Sequence, residues 1–326
     1  MKAIQKVYSA ILVIAVSAFS SKAHAEGDPL IELKKTISKS FTVNSNEKVS
    51  INHQFGELVI HTWDKNEVKA EINIKVSSED EEYARSVLDA ISIDAGKNAN
   101  GVYFRTIIGD IDKKRSRRAR NENRNIDYVV YLPAVNPLLV NMQFGSTNIA
   151  DYKGPVEIIH EYGSLTTGNL SNVKSISASY GSASIGGVSN GKLRFEYGDT
   201  KLFNVSGVVT LNTGYGSVKL SLDNSLKSLD MKSEYGDIQL GVQDNINASF
   251  TVETSYAELK NKGGLKFVKA REDESGPVFD HTYTATGGNG SAKVKIKSEF
   301  TQVTVSNSVS FESSKDKGTK KKEKSI

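Results

Sequence analysis

The stretches HEYGSL (160–165), ASYGSA (178–183) and FEYGDT (195–200) each place an aromatic residue, a glycine and a serine or aspartate in the same order. From 144 to 256 the aromatic residues of such triplets follow one another at steps of 18, 18, 17, 18, 20 and 21 residues. A repeat period near 20 residues is typical of a solenoid in which each repeat forms one coil. The regular triplets begin with Phe144-Gly145, Tyr162-Gly163, Tyr180-Gly181, Tyr197-Gly198, Tyr215-Gly216 and Tyr235-Gly236, and variants stand at Phe55-Gly56, Tyr256-Ala257 and Phe300-Thr301.

Apolar residues alternate with polar ones before each triplet, which indicates a strand with one buried face. Phe195 precedes Tyr197 at an even offset, so the alternation predicts that the tyrosine ring also points inward and packs. Ligand stacking on exposed rings is the less favoured alternative. Leu202 follows Tyr197 at an odd offset, which predicts that the inward face switches at the glycine. We therefore expect the glycine to form the bend with a positive φ, and the bends at Ala257 and Thr301 to be different or less sharp.

These patterns predict an all-β fold, a single-stranded parallel β-solenoid with coils of roughly 18 residues stacked about 4.8 Å apart. Residues 138–305 would form the regular coils. Residues 26–137 are expected to form a β-rich cap, because an open stack of strands exposes an edge that must be covered. The tail at 306–326 loses the pattern and is expected to be disordered and basic. Within the cap we expect strands at 48–52, 57–62, 67–76 and 127–132 and one short helix at 79–91.

Residues 1–25 have the features of a signal peptide. Lys2 and Lys6 precede an apolar run at 10–19, and Ala-His-Ala at 23–25 is a typical cleavage site. A buried N-terminal helix is the alternative, but the composition changes sharply at Glu26. We therefore expect an exported protein, without a transmembrane segment after the leader. The chain has no cysteine, which excludes disulfides, thiolate catalysis and cysteine-based zinc sites.

The positive charge is concentrated in two short segments, 113–124 and 314–326, and the rest of the chain after the leader is acidic. The segment 113–124 is predicted to lie at the tip of a hairpin between strands at 102–107 and 127–132. It is a candidate foot on anionic lipid, lipopolysaccharide or acidic polysaccharide, against the simpler interpretation of a solvated loop. Nucleic acid is not expected as a partner, because the segment has no interleaved aromatic residues. The candidate residues are Lys113, Lys114, Arg115, Arg117, Arg118, Arg120 and Arg124.

The sequence assigns no catalytic residue, no metal site and no cofactor. Asp199 and Asp237 occupy equivalent positions two coils apart, about 9.6 Å in a parallel stack, near the upper end of the separation for an inverting glycosidase. However, no Arg or His stands at matching positions on the intervening coils. The four histidines after the leader, His53, His61, His160 and His281, show no metal-ligand spacing.

Three features together resemble one bacterial family: FGELVIHTWDKNEVKAEINIKV at 55–76, VVYLPAVNPLLVNMQFGSTNIADYKGPVEI at 129–158, and the run of aromatic-Gly-Ser/Asp triplets. The chain is similar over about 40–305 to the DUF4097 β-strand-repeat proteins, which are related to the auto-transporter adhesin head GIN domain proteins. The resemblance implies a β-helix-like exported protein of a Gram-negative envelope, in the periplasm, on the outer surface or outside the cell. It carries over no catalytic residues.

We therefore predict a non-enzymatic, adhesin-like solenoid that acts in binding or scaffolding at the cell envelope. The expected partners are an envelope polysaccharide, lipopolysaccharide or a surface protein, and the sequence selects none of them. One alternative is a polysaccharide lyase or hydrolase, since parallel β-helices often host such enzymes. The other is an accessory protein of envelope stress or signalling.

Overall fold

In the computed structural model the described residues are 30–111, 122–270 and 279–311. They are almost entirely strand and form one sheet that coils around a continuous apolar core, so the chain has an all-β, solenoid-like fold. Along the sheet the order is β1-β3-β6-β2-β7-β8-β9-β14-β10-β13-β12, with β5 beside β2 and β4, and β11 beside β14. The elements are β1 (Ile31–Thr42), β2 (Val49–Trp63), β3 (Glu67–Ser78), α1 (Glu81–Ala90), β4 (Ile91–Asn98), β5 (Gly101–Ile108), β6 (Asn123–Pro133), β7 (Leu138–Ile149), β8 (Tyr152–Glu196), β9 (Thr200–Gly241), β10 (Ala248–Ser255), β11 (Leu259–Asn261), β12 (Val268–Lys269), β13 (Asp280–Gly287) and β14 (Ala292–Ser306).

The coils stack in parallel, so that equivalent residues of successive coils lie side by side. Ile51 pairs with Val140, and Val140 pairs with Ile158, and all three side chains are buried. The alternation predicted from the sequence is present on both sides of each bend, because Phe195 and Leu202 are both buried. The parallel register therefore turns one alternating pattern into continuous interior rows.

At the N-terminal end, β2 forms a coil of its own and continues the stack below β7. Its first half pairs in parallel with β5 and its second half with β6, and β3 and β1 then add antiparallel strands. The two strands expected at 48–52 and 57–62 are thus one bent strand. The predicted hairpin around 113–124 is wrong, since β5 and β6 pair with different halves of β2 and not with each other. The strand before the segment therefore lies beside the first half of β2, and the strand after it lies beside the second half.

The helix α1 covers this end of the core. Asp80 caps it by accepting a hydrogen bond from the backbone N–H of Tyr83 at 3.0 Å, which satisfies a donor that has no partner within the helix. Its buried residues, Tyr83, Ala84, Val87 and Leu88, share one face. Within the described residues, no helix is long and apolar enough to span a bilayer.

At the other end, the order of the coils departs from the order of the sequence. β14 lies between β9 and β10 and pairs in parallel with both. Tyr235 and Tyr256 are therefore not neighbours, contrary to a simple succession of coils, because Phe300 lies between them. After β9 the chain forms β10 and β13 one coil farther along the stack, and β14 then inserts between β9 and β10. The antiparallel β13 then covers the outer edge of β10.

After β14 the chain turns back along the outside of the solenoid. Phe311 stacks on Phe203 with ring centroids 4.2 Å apart. Lys201 and Lys219 donate hydrogen bonds from Nζ to the backbone carbonyls of Phe311 and Ser310, at 2.8 and 3.2 Å. The described part of the chain thus ends against the coil that contains Tyr197.

The bend of each coil is made by the aromatic residue and not by the glycine, so the sequence-based assignment of the hinge is wrong. Nine aromatic residues, one per coil, have φ between 48° and 63°, in the left-handed region. A left-handed residue interrupts the alternation of the strand, which explains why the inward face switches phase. Tyr256 and Phe300, which precede Ala257 and Thr301, share this conformation. The expectation that the bends at these two coils differ from the others is therefore wrong.

The glycine is required by the close approach of neighbouring coils. A Cβ placed on Gly198 would lie 1.6 Å from the carbonyl oxygen of Gly181, and a Cβ on Gly181 would lie 1.7 Å from that of Gly163. A methyl group at either position would push two coils apart along the stack.

We expect Gly198→Ala to destabilise the protein by about 3 kcal/mol or more, because overpacking against backbone cannot be relieved by a side-chain movement. The matched control is Gly214→Ala, where an added Cβ meets no atom within 4 Å. That change should be neutral or slightly stabilising, by up to about 1 kcal/mol, through the lower entropy of the unfolded chain. Urea unfolding of both variants tests this, and equal destabilisation would contradict the close-approach argument.

Candidate functional site

The main surface feature is a single row of stacked aromatic rings, which we call the ring file. Neighbouring ring centroids are 4.5–5.1 Å apart and the ring planes are within 10° of parallel. In spatial order the ring file consists of Phe55, Phe144, Tyr162, Tyr180, Tyr197, Tyr215, Tyr235, Phe300 and Tyr256. Its eight steps give a length on the order of 40 Å.

The rings of the file lie on the surface, which contradicts the expectation that they point inward. Eight of them are 42–55% exposed, and Phe55 is partly buried. The left-handed φ of each aromatic residue is the cause, because the alternation that buries Phe195 no longer holds at Tyr197. The prediction of a ring ladder is correct, but its side of the sheet was predicted wrongly.

The ring file presents ring edges to solvent, because the ring faces are in contact with one another. Both ends of the file are also covered. The guanidinium of Arg124 lies 5.5 Å from the centroid of Phe55, and Phe279 stacks on Tyr256 at 5.1 Å. Stacking of a sugar ring needs an open aromatic face. The geometry therefore disfavours sugar stacking on these rings, and favours a ligand that contacts a narrow apolar ridge.

Two rows of polar residues border the ring file. The row before the rings contains Glu161, Glu196, Glu234 and Glu299, and the row two residues after them contains Glu57, Asp199, Asp237 and Glu258; serine, glutamine or glycine fills the other positions. Neither row contains a lysine or arginine over the nine coils. We call the rings together with these two rows the corner strip, and its charge is negative.

Local hydrogen bonds order parts of the corner strip. Gln143 Nε2 donates to Glu161 Oε2 at 3.0 Å, and Ser217 Oγ donates to Asp199 Oδ1 at 2.6 Å. Partial desolvation, and then the neighbouring Tyr180, raise the pKa of the Tyr197 phenol. The neutral form of the Tyr197 phenol is therefore favoured.

The two aspartates singled out in the sequence lie in one row as predicted, with Ser217 on the coil between them. Asp199 and Asp237 are both exposed, and Asp199 is occupied by the serine hydroxyl. Because both carboxylates lie on the surface in the row beside the rings, the pair is best interpreted as part of the corner strip.

Of the basic candidates, only Arg124 can be placed. Lys113, Lys114, Arg115, Arg117, Arg118 and Arg120 lie outside the described residues. Arg124 belongs to β6, where it forms an ion pair with Glu122 at 2.9 Å. Together with Phe55, Asp127 and Phe144 it lines an open depression of about 460 Å³ at the N-terminal end of the ring file.

Two buried histidines form a feature that sequence reasoning missed. His53 and His160 are each 1% exposed and lie in one interior row, with Met142 between them. His53 Nδ1 lies 3.0 Å from Thr106 Oγ1, while Nε2 of both histidines has no partner among the described residues. Burial lowers the pKa of both imidazoles to about 4. Both histidines stand two residues before the aromatic residue of a bend, the position of the buried Phe195, and this spacing could have predicted their burial. The described residues contain no cluster of three or more metal-binding side chains.

Comparison with known proteins gives a family match over nearly all of the described chain. The family model described as "Toastrack DUF4097" matches residues 31–306. No curated protein matches the chain significantly. The chain is similar to the crystal structures of a "putative cell adhesion protein" from Clostridium sporogenes (11% identity, 83% of this chain and 99% of that chain, TM-score 0.24) and of a "putative adhesin" from Bacteroides fragilis (10%, 83% and 97%, TM-score 0.28). A "putative adhesin" from Parabacteroides distasonis matches in the same way (9%, 83% and 96%, TM-score 0.26). TM-scores this low add nothing to the functional argument.

The buried histidines predict a loss of stability in acid. In the unfolded chain a histidine takes up a proton near pH 6.5, but in the folded protein these two do so only near pH 4. The free energy of unfolding is therefore unaffected by them above pH 6.5 and falls as the pH drops from 6.5 toward 4. At pH 5 each histidine should lower the free energy of unfolding by about 2 kcal/mol relative to pH 7.5. His160→Met, which copies the neighbouring Met142, should remove one such contribution in urea unfolding at the two pH values. The control is the exposed His61→Met; equal pH dependence of both variants would refute the assignment.

Proposed function

The chain belongs to the Toastrack DUF4097 family, and from that premise we propose that it is an exported, non-enzymatic, adhesin-like β-solenoid that binds or scaffolds at the bacterial cell envelope. The exposed ring file is the observation that carries the proposal. Export rests on the predicted leader at 1–25, with an exported chain that begins at Glu26. A periplasmic, surface or extracellular site fits a rigid rod whose long side presents a repeated surface.

The ring file supports binding because it is large, apolar and not explained by core packing. An aromatic side chain has a surface of about 200 Å², so the eight half-exposed rings present on the order of 800 Å². Monomeric proteins rarely expose continuous apolar patches of that size. One partner in a standard protein interface contributes about 800 Å².

Removal of three central rings should weaken binding to the envelope. In Tyr180→Asn/Tyr197→Asn/Tyr215→Asn, asparagine tolerates the left-handed backbone, so the rings are lost without added strain. We expect at least tenfold less protein to sediment with purified envelopes of a Gram-negative bacterium, because the apolar contact is interrupted over three coils.

The control is Val135→Ala/Val208→Ala/Val268→Ala, which removes three exposed apolar side chains outside the ring file. It should sediment like the wild type. Equal retention of the ring variant and the wild type, with both folded by circular dichroism, would overturn the ring file as the binding surface.

We propose a second contact for the basic segment 113–124, namely an anionic surface such as lipid, lipopolysaccharide or acidic polysaccharide. Support comes from the strands on either side of it, since β5 and β6 place its two anchors at the N-terminal end of the stack. A positive segment at the end of an otherwise acidic rod would orient the rod on an anionic surface. Arg124 is less suited to this role than the other candidates, because it is paired with Glu122.

Neutralising Lys113, Lys114, Arg115, Arg117, Arg118 and Arg120 to glutamine should reduce flotation with phosphatidylglycerol vesicles at least fivefold at low salt, and the difference should disappear near 0.5 M salt. The matched control neutralises the six lysines of the tail, Lys315, Lys317, Lys320, Lys321, Lys322 and Lys324. Equal losses of flotation in both variants would indicate a general effect of charge and refute a specific role of the segment 113–124 in binding the anionic surface.

A further inference from the structure

The acidic residues of the corner strip are concentrated in five adjacent coils, which contain Tyr197, Tyr215, Tyr235, Phe300 and Tyr256. Glu196, Glu234 and Glu299 lie on one side of these rings, and Asp199, Asp237 and Glu258 lie on the other. The four steps between these five coils give this part of the corner strip a length of about 20 Å. This half of the corner strip is therefore an apolar ridge with carboxylates along both sides.

Basic side chains stand two residues farther from the rings than the carboxylates, so the carboxylates remain the charged groups nearest the rings. Arg194 forms an ion pair with Glu196 at 2.6 Å, and Lys201 and Lys219 donate to backbone carbonyls of the returning chain. The other basic residues in this position are exposed: Lys232, Lys260 and Lys297. Within the described residues, Glu234 and Asp237 have no ion-pair partner. The ridge thus retains exposed carboxylates that are available to a ligand.

The spacing of the carboxylates matches an extended polypeptide laid along the ridge. The coils of Tyr197 and Tyr235 carry a carboxylate on each side of the ring, and the coil of Tyr215 between them carries Gly214 and Ser217. Two coil spacings are about 10 Å, and residues three apart in an extended chain are also about 10 Å apart. Basic side chains three positions apart in such a chain would meet the two carboxylate pairs, and the next two coils add one carboxylate each, Glu299 and Glu258.

The chemistry of the ridge selects basic side chains over the alternatives. Lysine and arginine place long apolar stems on apolar surface and keep the charged group in water, which suits ring edges bordered by carboxylates. Acidic polymers would be repelled, and sugar rings would find no open aromatic face. The ring edges themselves do not attract cations, so the carboxylates would provide the charge recognition.

We propose that this half of the corner strip is a docking surface for an extended, lysine- or arginine-rich polypeptide segment of a partner protein. The inference rests on the proposed binding function and names the chemical class of the partner. The partner segment lies along the solenoid axis, with its apolar stems on the rings and its cationic groups at the carboxylate rows.

The test measures fluorescence anisotropy of a labelled peptide of five Lys-Ser-Ser repeats against the purified protein, with five Glu-Ser-Ser repeats as the negative probe. We expect saturable binding of the lysine peptide alone, weakened by salt. Glu196→Gln/Asp199→Asn/Glu234→Gln/Asp237→Asn should raise its Kd at least tenfold. The charge-matched control is Asp64→Asn/Asp89→Asn/Asp110→Asn/Glu157→Gln, four exposed acidic residues outside the strip, and its Kd should remain within twofold of the wild type.

Three outcomes would overturn the proposal. They are absence of binding, equal weakening by the two quadruple variants, and binding that appears only after removal of residues 312–326. The last result would identify the basic tail of the same chain as the occupant. If the three-ring variant still loses envelope binding while the lysine peptide fails to bind, the proposed function stands and only the assignment of the partner is wrong.

Discussion

The close approach of the backbone between neighbouring coils is the constraint from which the other features follow. Parallel hydrogen bonding fixes the strands about 4.8 Å apart, and at the bends the carbonyl oxygen of one coil points into the space where the next coil would place a Cβ. At the glycines of the six regular triplets, Gly145 to Gly236, an added Cβ would lie only 1.6–2.0 Å from that oxygen, so none of these glycines can be given a side chain without moving the backbone. The same spacing sets the distance between the rings. In the six regular triplets the glycine and the aromatic residue are therefore two consequences of one backbone separation, whereas the coils of Tyr256 and Phe300 have Ala257 and Thr301 in place of the glycine.

The conformation of the aromatic residue decides what the protein exposes. A left-handed, non-glycine residue costs about 1–2 kcal/mol, and a stacked pair of rings contributes about 0.5–1.5 kcal/mol. These two quantities nearly cancel, so the ring file adds little net stability. The core rows, for example Ile51, Val140 and Ile158, supply the burial that holds the coils together. The left-handed conformation is needed for the bend of each coil, whereas the exposed rings contribute little to burial.

The sequence predicts the interior of this protein better than its surface. Phe195 and Leu202 reveal the buried rows and the switch of face, since alternation depends only on counting positions along a strand. Alternation fails at Tyr197, because one left-handed φ reverses the direction of a side chain without any change in spacing. The place of Phe300 between Tyr235 and Tyr256 could not be predicted either, since nothing local in the sequence indicates that β14 returns to a gap. The acidic rows of the candidate site could be counted from the sequence, but their position beside exposed rings depends on the unexpected φ.

Stacking also creates repulsion between like charges on neighbouring coils, and the row after the rings shows how it is limited. Equivalent residues on successive coils are neighbours, so two carboxylates in one row would be about 4.8 Å apart, and their repulsion would be about twice that at two coil spacings. In the row after the rings, Ser217 separates Asp199 from Asp237, and Gln302 separates Asp237 from Glu258. Ser217 also donates a hydrogen bond to Asp199. The alternation lowers the repulsion within this row, but in the row before the rings Glu299 pairs directly with Glu234, so these two carboxylates lie on adjacent coils. A basic partner would relieve the remaining repulsion between the carboxylates when it binds. The corner strip is therefore expected to bind such a ligand more tightly than a neutral one.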